Sequence, residues 1–184
     1  MKFAVYCGAA TGNRPIYQEE VAKLGQWLGE NGHDIVYGGG KIGLMGVIAD
    51  QVLANGGQVI GVMPDFLIAR EISHQGLDQL IEVKSMAERK QIMLDQSQVC
   101  LALPGGPGTL EEIVEAISWT RIGQNPNPCV FYNIDGYYDG LKQVYLQMVE
   151  HGFLSQTDYE RIGFASTPDE LMSFVREYQA ADNR

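Results

Sequence analysis

Seven short apolar runs alternate with stretches of helical periodicity along the chain, and that alternation restricts the fold more than any other feature. The runs are KFAVYCG (2–8), DIVYGGG (34–40), QVIGVMP (58–64), IEVKS (81–85), QVCLALPGG (98–106), NPCVFYNIDG (127–136) and RIGFAS (161–166). After the first, residues 15–32 place Val21, Leu24 and Leu28 on one helical stripe and stop at Asn31-Gly32. Further helices are expected over residues 44–57, 86–97, 109–120, 138–151 and 167–180, the last with Thr167 and Glu170 in capping-box spacing. Residues 65–80 read as a loop with some helix. Strands rich in Val, Ile and Tyr between helices imply a parallel sheet covered on both faces, the doubly wound α/β class.

No repeat, low-complexity tract or linker divides the 184 residues, so residues 1–184 are expected to form one domain. Thirteen basic against 23 acidic residues give a formal charge of −10, which argues against a nucleic-acid surface but not against a single phosphate in a cleft. No apolar run approaches the roughly 20 residues that span a bilayer, so no membrane partner is expected. Cys7, Cys100 and Cys129 each lie in or beside a strand and read as buried free thiols. With Met1-Lys2 leading straight into a strand, a reducing cytoplasm is the expected location.

Three runs end in glycine: YCGAATGN (6–13), YGGGKIGLMG (37–46) and LPGGPGT (103–109). In an open parallel sheet, ligands bind outside the carboxyl ends of the strands. Glycines there, Gly8, Gly39, Gly40, Gly105, Gly106 and Gly108 among them, let backbone N–H groups approach an anion. Turns that need a left-handed residue explain an isolated Gly32 or Gly56, but poorly explain Gly38-Gly39-Gly40. There is no GxxxxGK followed by Ser or Thr. GGGKIG lacks an acidic ribose ligand about 20 residues on, so neither a P-loop nor a dinucleotide fingerprint is present. One nucleotide phosphate is the expectation.

The segment TLEEIVEAIS (109–118) then sets carboxylates beside a site made for an anion. Thr109 and Glu112 have capping-box spacing, which explains one glutamate structurally. Leu110, Ile113, Val114 and Ile117 form the expected buried face, with Glu111, Glu115 and Ser118 opposite and Glu112 on the flank. Upstream, KSMAERK (84–90) gathers three of the 13 basic residues into seven positions. It reads either as a solvated helix face or, if that helix begins beside the glycine loops, as a source of cations for their ligand. The residues alone leave both pairs of readings open.

ERKQIM (88–93) followed by PGGPGTLEE (104–112) resembles the paired signature of the LOG (Lonely Guy) family, cytokinin riboside 5′-monophosphate phosphoribohydrolases often labelled lysine decarboxylases. The resemblance extends to VYCG (5–8), YGGGKIGLMGVIAD (37–50) and NIDGYYDGL (133–141), so it covers nearly the whole chain. It implies a Rossmann-like fold, a homodimer with the active site near the interface, and no cofactor or metal. The implied reaction cuts the N-glycosidic bond of an adenine-type nucleoside 5′-monophosphate, leaving free base and ribose 5-phosphate. Carried over, Arg89 and Glu112 are the catalytic pair, and Lys90, Gly105, Gly106, Pro107, Gly108, Thr109, Leu110 and Glu111 the substrate-binding stretch. Glu71 and Ser118 fall where the family has further substrate contacts. Two positions depart from the pattern: Ala9-Ala10 replaces a serine pair, leaving backbone N–H groups or Thr11 for the phosphate, and Ala87 replaces a histidine.

Hydrolysis of such a bond passes through an oxocarbenium-like sugar, which a carboxylate near the anomeric carbon stabilises while it orients water. An arginine, ionised at all ordinary pH, suits electrostatic and positioning work rather than proton donation. A nucleotide or cofactor carrier on the same fold, binding without cleaving, is the alternative. A decarboxylase is a poor third reading, because no lysine sits in a recognisable pyridoxal phosphate site.

Overall fold

The computed structural model describes residues 1–68 and 73–182, and the seven expected strands are all there. In chain order the elements are β1 (Lys2–Tyr6), α1 (Pro15–Glu30), β2 (Asp34–Tyr37), α2 (Gly43–Ala54) and β3 (Val59–Pro64). The short α3 (Asp65–Ile68), β4 (Gln79–Val83), α4 (Met86–Asp95), β5 (Val99–Ala102) and α5 (Pro107–Arg121) follow. The chain continues through β6 (Cys129–Tyr132), a 3₁₀ turn (Ile134–Gly136), α6 (Asp139–Glu150), α7 (Gln156–Glu160), β7 (Ile162–Ala165) and α8 (Pro168–Asp182). Sequence periodicity is too short to announce α7, a single turn capped by the Ser155 hydroxyl.

The strands form one parallel sheet in the order β4-β3-β2-β1-β5-β6-β7. The order reverses between β1 and β5, which lie side by side with Phe3 opposite Val99. Period-two alternation sends Phe3 and Val5 into a core under α1, α2 and α8, and Ala4 and Tyr6 into a second core under α4, α5 and α6. A strand buried on both faces has no polar side, which is why FAVY reads as a continuous apolar run. Cys7, Cys100 and Cys129 are free and buried, as expected.

Helix starts follow local chemistry. At α4 the Ser85 hydroxyl accepts the Glu88 N–H at 3.1 Å, and the Glu88 carboxylate accepts the Lys84 N–H at 2.8 Å. At α8 the Thr167 hydroxyl accepts the Glu170 N–H at 3.2 Å, as its spacing suggests. The capping box expected at Thr109 and Glu112 does not form. Pro107 occupies the first helical position, so α5 starts two residues earlier with Gly106 as its N-cap, and no side chain caps it. Thr109 is therefore inside the helix and buried, on a face with Ile113, Ala116 and Ile117. Val114, expected on the buried face, is 37% exposed. Among the described residues no helix is long and apolar enough to cross a membrane.

Candidate active site

The three glycine-ended strands are neighbours, in the order β2-β1-β5, so their loops meet at one place on the carboxyl edge of the sheet. That place is the reversal of strand order, where open parallel sheets leave a crevice. The two central loops touch directly, with the Gly8 N–H donating to the Pro104 carbonyl at 3.1 Å. A Cβ on Gly105 would lie 2.1 Å from the Thr109 hydroxyl and 2.9 Å from the Gly8 nitrogen, so only glycine allows this approach. The Tyr138 hydroxyl donates to the Leu103 carbonyl and that of Tyr137 to the Gly105 carbonyl, each at 2.6 Å. NIDGYYDGL thus braces the second glycine loop. On the other side, the Leu44 and Met45 N–H groups at the start of α2 are taken by the Ala10 and Gly8 carbonyls.

The start of α5 remains for a ligand. Pro107 has no N–H, and the N–H groups of Gly108 and Thr109 have no acceptor within a helix. A Cβ on Gly106 or Gly108 would meet nothing within 4 Å, so the ground in front of these donors is open. This is the geometry that holds a phosphate or carboxylate. The cleft before it has a volume of about 440 Å³, and its lining includes Cys7, Gly8, Ala9, Arg89, Gly106, Gly108, Thr109, Glu111 and Glu112. Met45, Phe66, Leu67 and Met86 supply an apolar wall, of which Phe66 and Leu67 lie outside every motif singled out in the sequence.

Arg89 reaches the cleft because α4 begins at the carboxyl end of β4, which places its first turn at the same edge as the glycine loops. Its guanidinium Nη2 lies 3.9 Å from Glu112 Oε1, with the two side chains only 9% and 10% exposed. Nη1 is 3.9 Å from the Met86 sulfur, and Nε is buried with no acceptor among the described residues. An unmet buried donor costs about 1–3 kcal/mol, which an incoming acceptor relieves. Cys7 lies in the field of the same pair. Burial first, and then the Glu112 charge, push its thiol well above the ordinary value, while Arg89 pulls the other way. The thiol is protonated at neutral pH and is no nucleophile.

Lys90, one residue on, turns to α5 and bonds both Glu111 and Glu115, at 2.5 and 3.0 Å. Burial opposes its charge, and the two carboxylates outweigh burial, so the ammonium titrates above its usual value. Other anticipated residues lie apart from the cleft lining. Gly39 and Gly40 hold the segment after residue 72, through the His74 N–H on the Gly39 carbonyl and a bridge from Gly40 to Ser73. The Ser118 hydroxyl is exposed and donates to the Val114 carbonyl at 2.9 Å. Leu110 is half-buried and packs against the second core, and Thr11 lines a neighbouring hollow with Tyr17 and Tyr137. Glu71 lies outside the described residues.

Residues 45–175 match the protein family described as "Possible lysine decarboxylase". The chain is 41% identical over 177 residues to the probable cytokinin riboside 5′-monophosphate phosphoribohydrolase LOGL2 of Oryza sativa subsp. japonica, covering 96% of this chain and 72% of that protein. It is 39% identical over 183 residues to the cytokinin riboside 5′-monophosphate phosphoribohydrolase LOG3 of Arabidopsis thaliana, covering 100% and 85%. Among solved structures, the molybdenum cofactor carrier protein of Chlamydomonas reinhardtii superimposes with a TM-score of 0.71 at 19% identity over 98% of each chain. The molybdenum cofactor binding protein of Rippkaea orientalis does so at 0.70 and 20%, over 96% and 95%. At such low identity the likeness to these two is one of fold.

Proposed function

The chain belongs to the LOG family, and on that premise we propose that it hydrolyses the N-glycosidic bond of adenine-type nucleoside 5′-monophosphates, cytokinin riboside 5′-monophosphates and AMP among them. The observation that carries this reading is the buried Arg89–Glu112 pair at the foot of a cleft whose other end is a bare helix N-terminus. Thr109 to Glu112 is three residues of helix, a rise of ~4.5 Å, close to the span of a ribose between its phosphate and its anomeric carbon. A phosphate held by the Gly108 and Thr109 N–H groups would leave its ribose in the cleft that Glu112 also lines. One helix start serves an anion and a developing cation, because it offers N–H dipoles at its mouth and a carboxylate one turn below.

In the reaction, Glu112 stabilises the oxocarbenium-like sugar and orients the water that attacks it. Arg89 holds the carboxylate in place by its charge and polarises the departing base. Among the described residues no lysine lines the cleft, and Lys90 is engaged on α5, so the site does not suit a pyridoxal phosphate Schiff base.

The protein acts as an isologous homodimer in the cytoplasm. Val114 and Ile122 on and just after α5, with Val144 and Met148 on α6, are exposed apolar side chains on the helix layer that carries Glu112. The reaction is tested by incubating the protein with AMP and, separately, with isopentenyladenosine monophosphate, without metal or cofactor, and quantifying free base. Base should be released from at least one of them, and lost in both Arg89→Ala and Glu112→Ala. Saturable nucleotide binding by folded protein without base release would point instead to a carrier.

A further inference from the structure

The sequence offers no turn-based reason for three glycines in a row after β2, and the structure gives the first of them a specific neighbour. Gly38 does not have a left-handed φ, so its backbone would accept any small residue. Space is what forbids one. A Cβ at Gly38 would stand 2.0 Å from Arg89 Nη2 and 3.1 Å from Cζ, with the Met45 sulfur at 3.2 Å. The backbone at the end of β2 is thus the floor on which the guanidinium rests, and the same Nη2 faces Glu112. The other side of Arg89 is closed by Met86, and only 7% of the residue is exposed.

We infer that Gly38 is a positioning residue for the reaction: its missing side chain is the space that lets Arg89 lie within reach of Glu112 and of the cleft. The inference rests on the proposed hydrolase reading. The first glycine of the triplet then acts through an arginine 51 positions later (89 − 38) and needs no contact with phosphate. An added methyl presses on the far end of a flexible side chain rather than on backbone. It therefore displaces the guanidinium and leaves the fold in place. Displacements of about 1 Å in a reacting site cost on the order of 10²-fold in rate.

The test has two parts, the kinetics of Gly38→Ala against wild type and a double-mutant cycle of Gly38→Ala and Arg89→Ala read by unfolding. Free base release from the better nucleotide gives kcat and KM, and thermal unfolding gives stability without reference to catalysis. Gly38→Ala should lower kcat about 10²-fold relative to wild type, with a smaller change in KM. The melting temperature should fall when the methyl is added beside the arginine and stay unchanged when it is added in the Arg89→Ala background. Wild-type kcat in Gly38→Ala, or melting shifts that simply add in the double variant, would overturn the inference. Absence of base release from the wild type would overturn the hydrolase reading instead, and the unfolding cycle would still report whether Gly38 and Arg89 are coupled; additive melting shifts there would sink the inference as well.

Discussion

Gly108 shows how a single atom separates stability from binding. It sits in the first turn of α5 with open space where a Cβ would go, and it lines the cleft. Gly108→Ala should raise stability by about 0.5 kcal/mol, because alanine loses less backbone freedom on entering a helix. The new methyl would stand before the N–H groups assigned to the phosphate, so KM for the nucleotide should rise about tenfold, the equivalent of ~1.4 kcal/mol, with kcat changed less. Denaturant unfolding and steady-state base release on the same preparation measure both. A lower stability with unchanged KM would mean that the phosphate is held elsewhere.

Elements carry the next level of control, since the site is clamped by bonds between them. Tyr138, ahead of α6 and almost fully buried, donates to the Leu103 carbonyl under the second glycine loop. Tyr138→Phe strands that carbonyl and should cost about 1–3 kcal/mol in equilibrium unfolding. Lys90 joins α4 to α5 through Glu111 and Glu115, one residue from Arg89 on one side and beside Glu112 on the other. Its folded-state pKa is raised, so its stabilising contribution is complete below the unfolded value of about 10.4 and is lost as pH rises through the folded one. The melting-temperature gap between wild type and Lys90→Met should therefore be fully present at neutral pH, persist to about pH 10 and close as pH rises through the raised folded-state pKa. Most elements were legible in the sequence because β1, β2, β3 and β5 are short apolar runs ended by glycine or proline, and α1 keeps one stripe. What was not legible came from packing at a distance. Pro107 moved the start of α5 and dissolved a capping box that spacing alone favoured. Small Thr109 and Ala116 joined the inner face, Leu110 packs against it half-buried, and Val114 turned outward. The meeting of Arg89 with Glu112 was implied by family resemblance, but nothing local to either residue could show that Gly38 makes the room for it.

For the whole molecule, the exposed apolar side chains on α5 and α6 predict self-association. Light scattering at micromolar concentration should give twice the 20.3 kDa chain mass, and charge introduced by Val144→Glu with Met148→Glu should halve it. A monomeric, fully active wild type would contradict the dimer. The seam between β1 and β5 bears on how the chain is made as well as on where it binds. Phe3 faces Val99, so the two walls of the crevice are made 96 residues apart (99 − 3), whereas β1 and β2 are close neighbours in sequence. At about 5–20 residues per second on the ribosome, β1 waits roughly 5–20 s for its second partner. Through that interval one edge of a largely apolar strand is bare, the kind of edge that recruits other chains. The arrangement that places the cleft in the middle of the sheet therefore also fixes when β1 gains its second neighbour, only after residue 99 has been made.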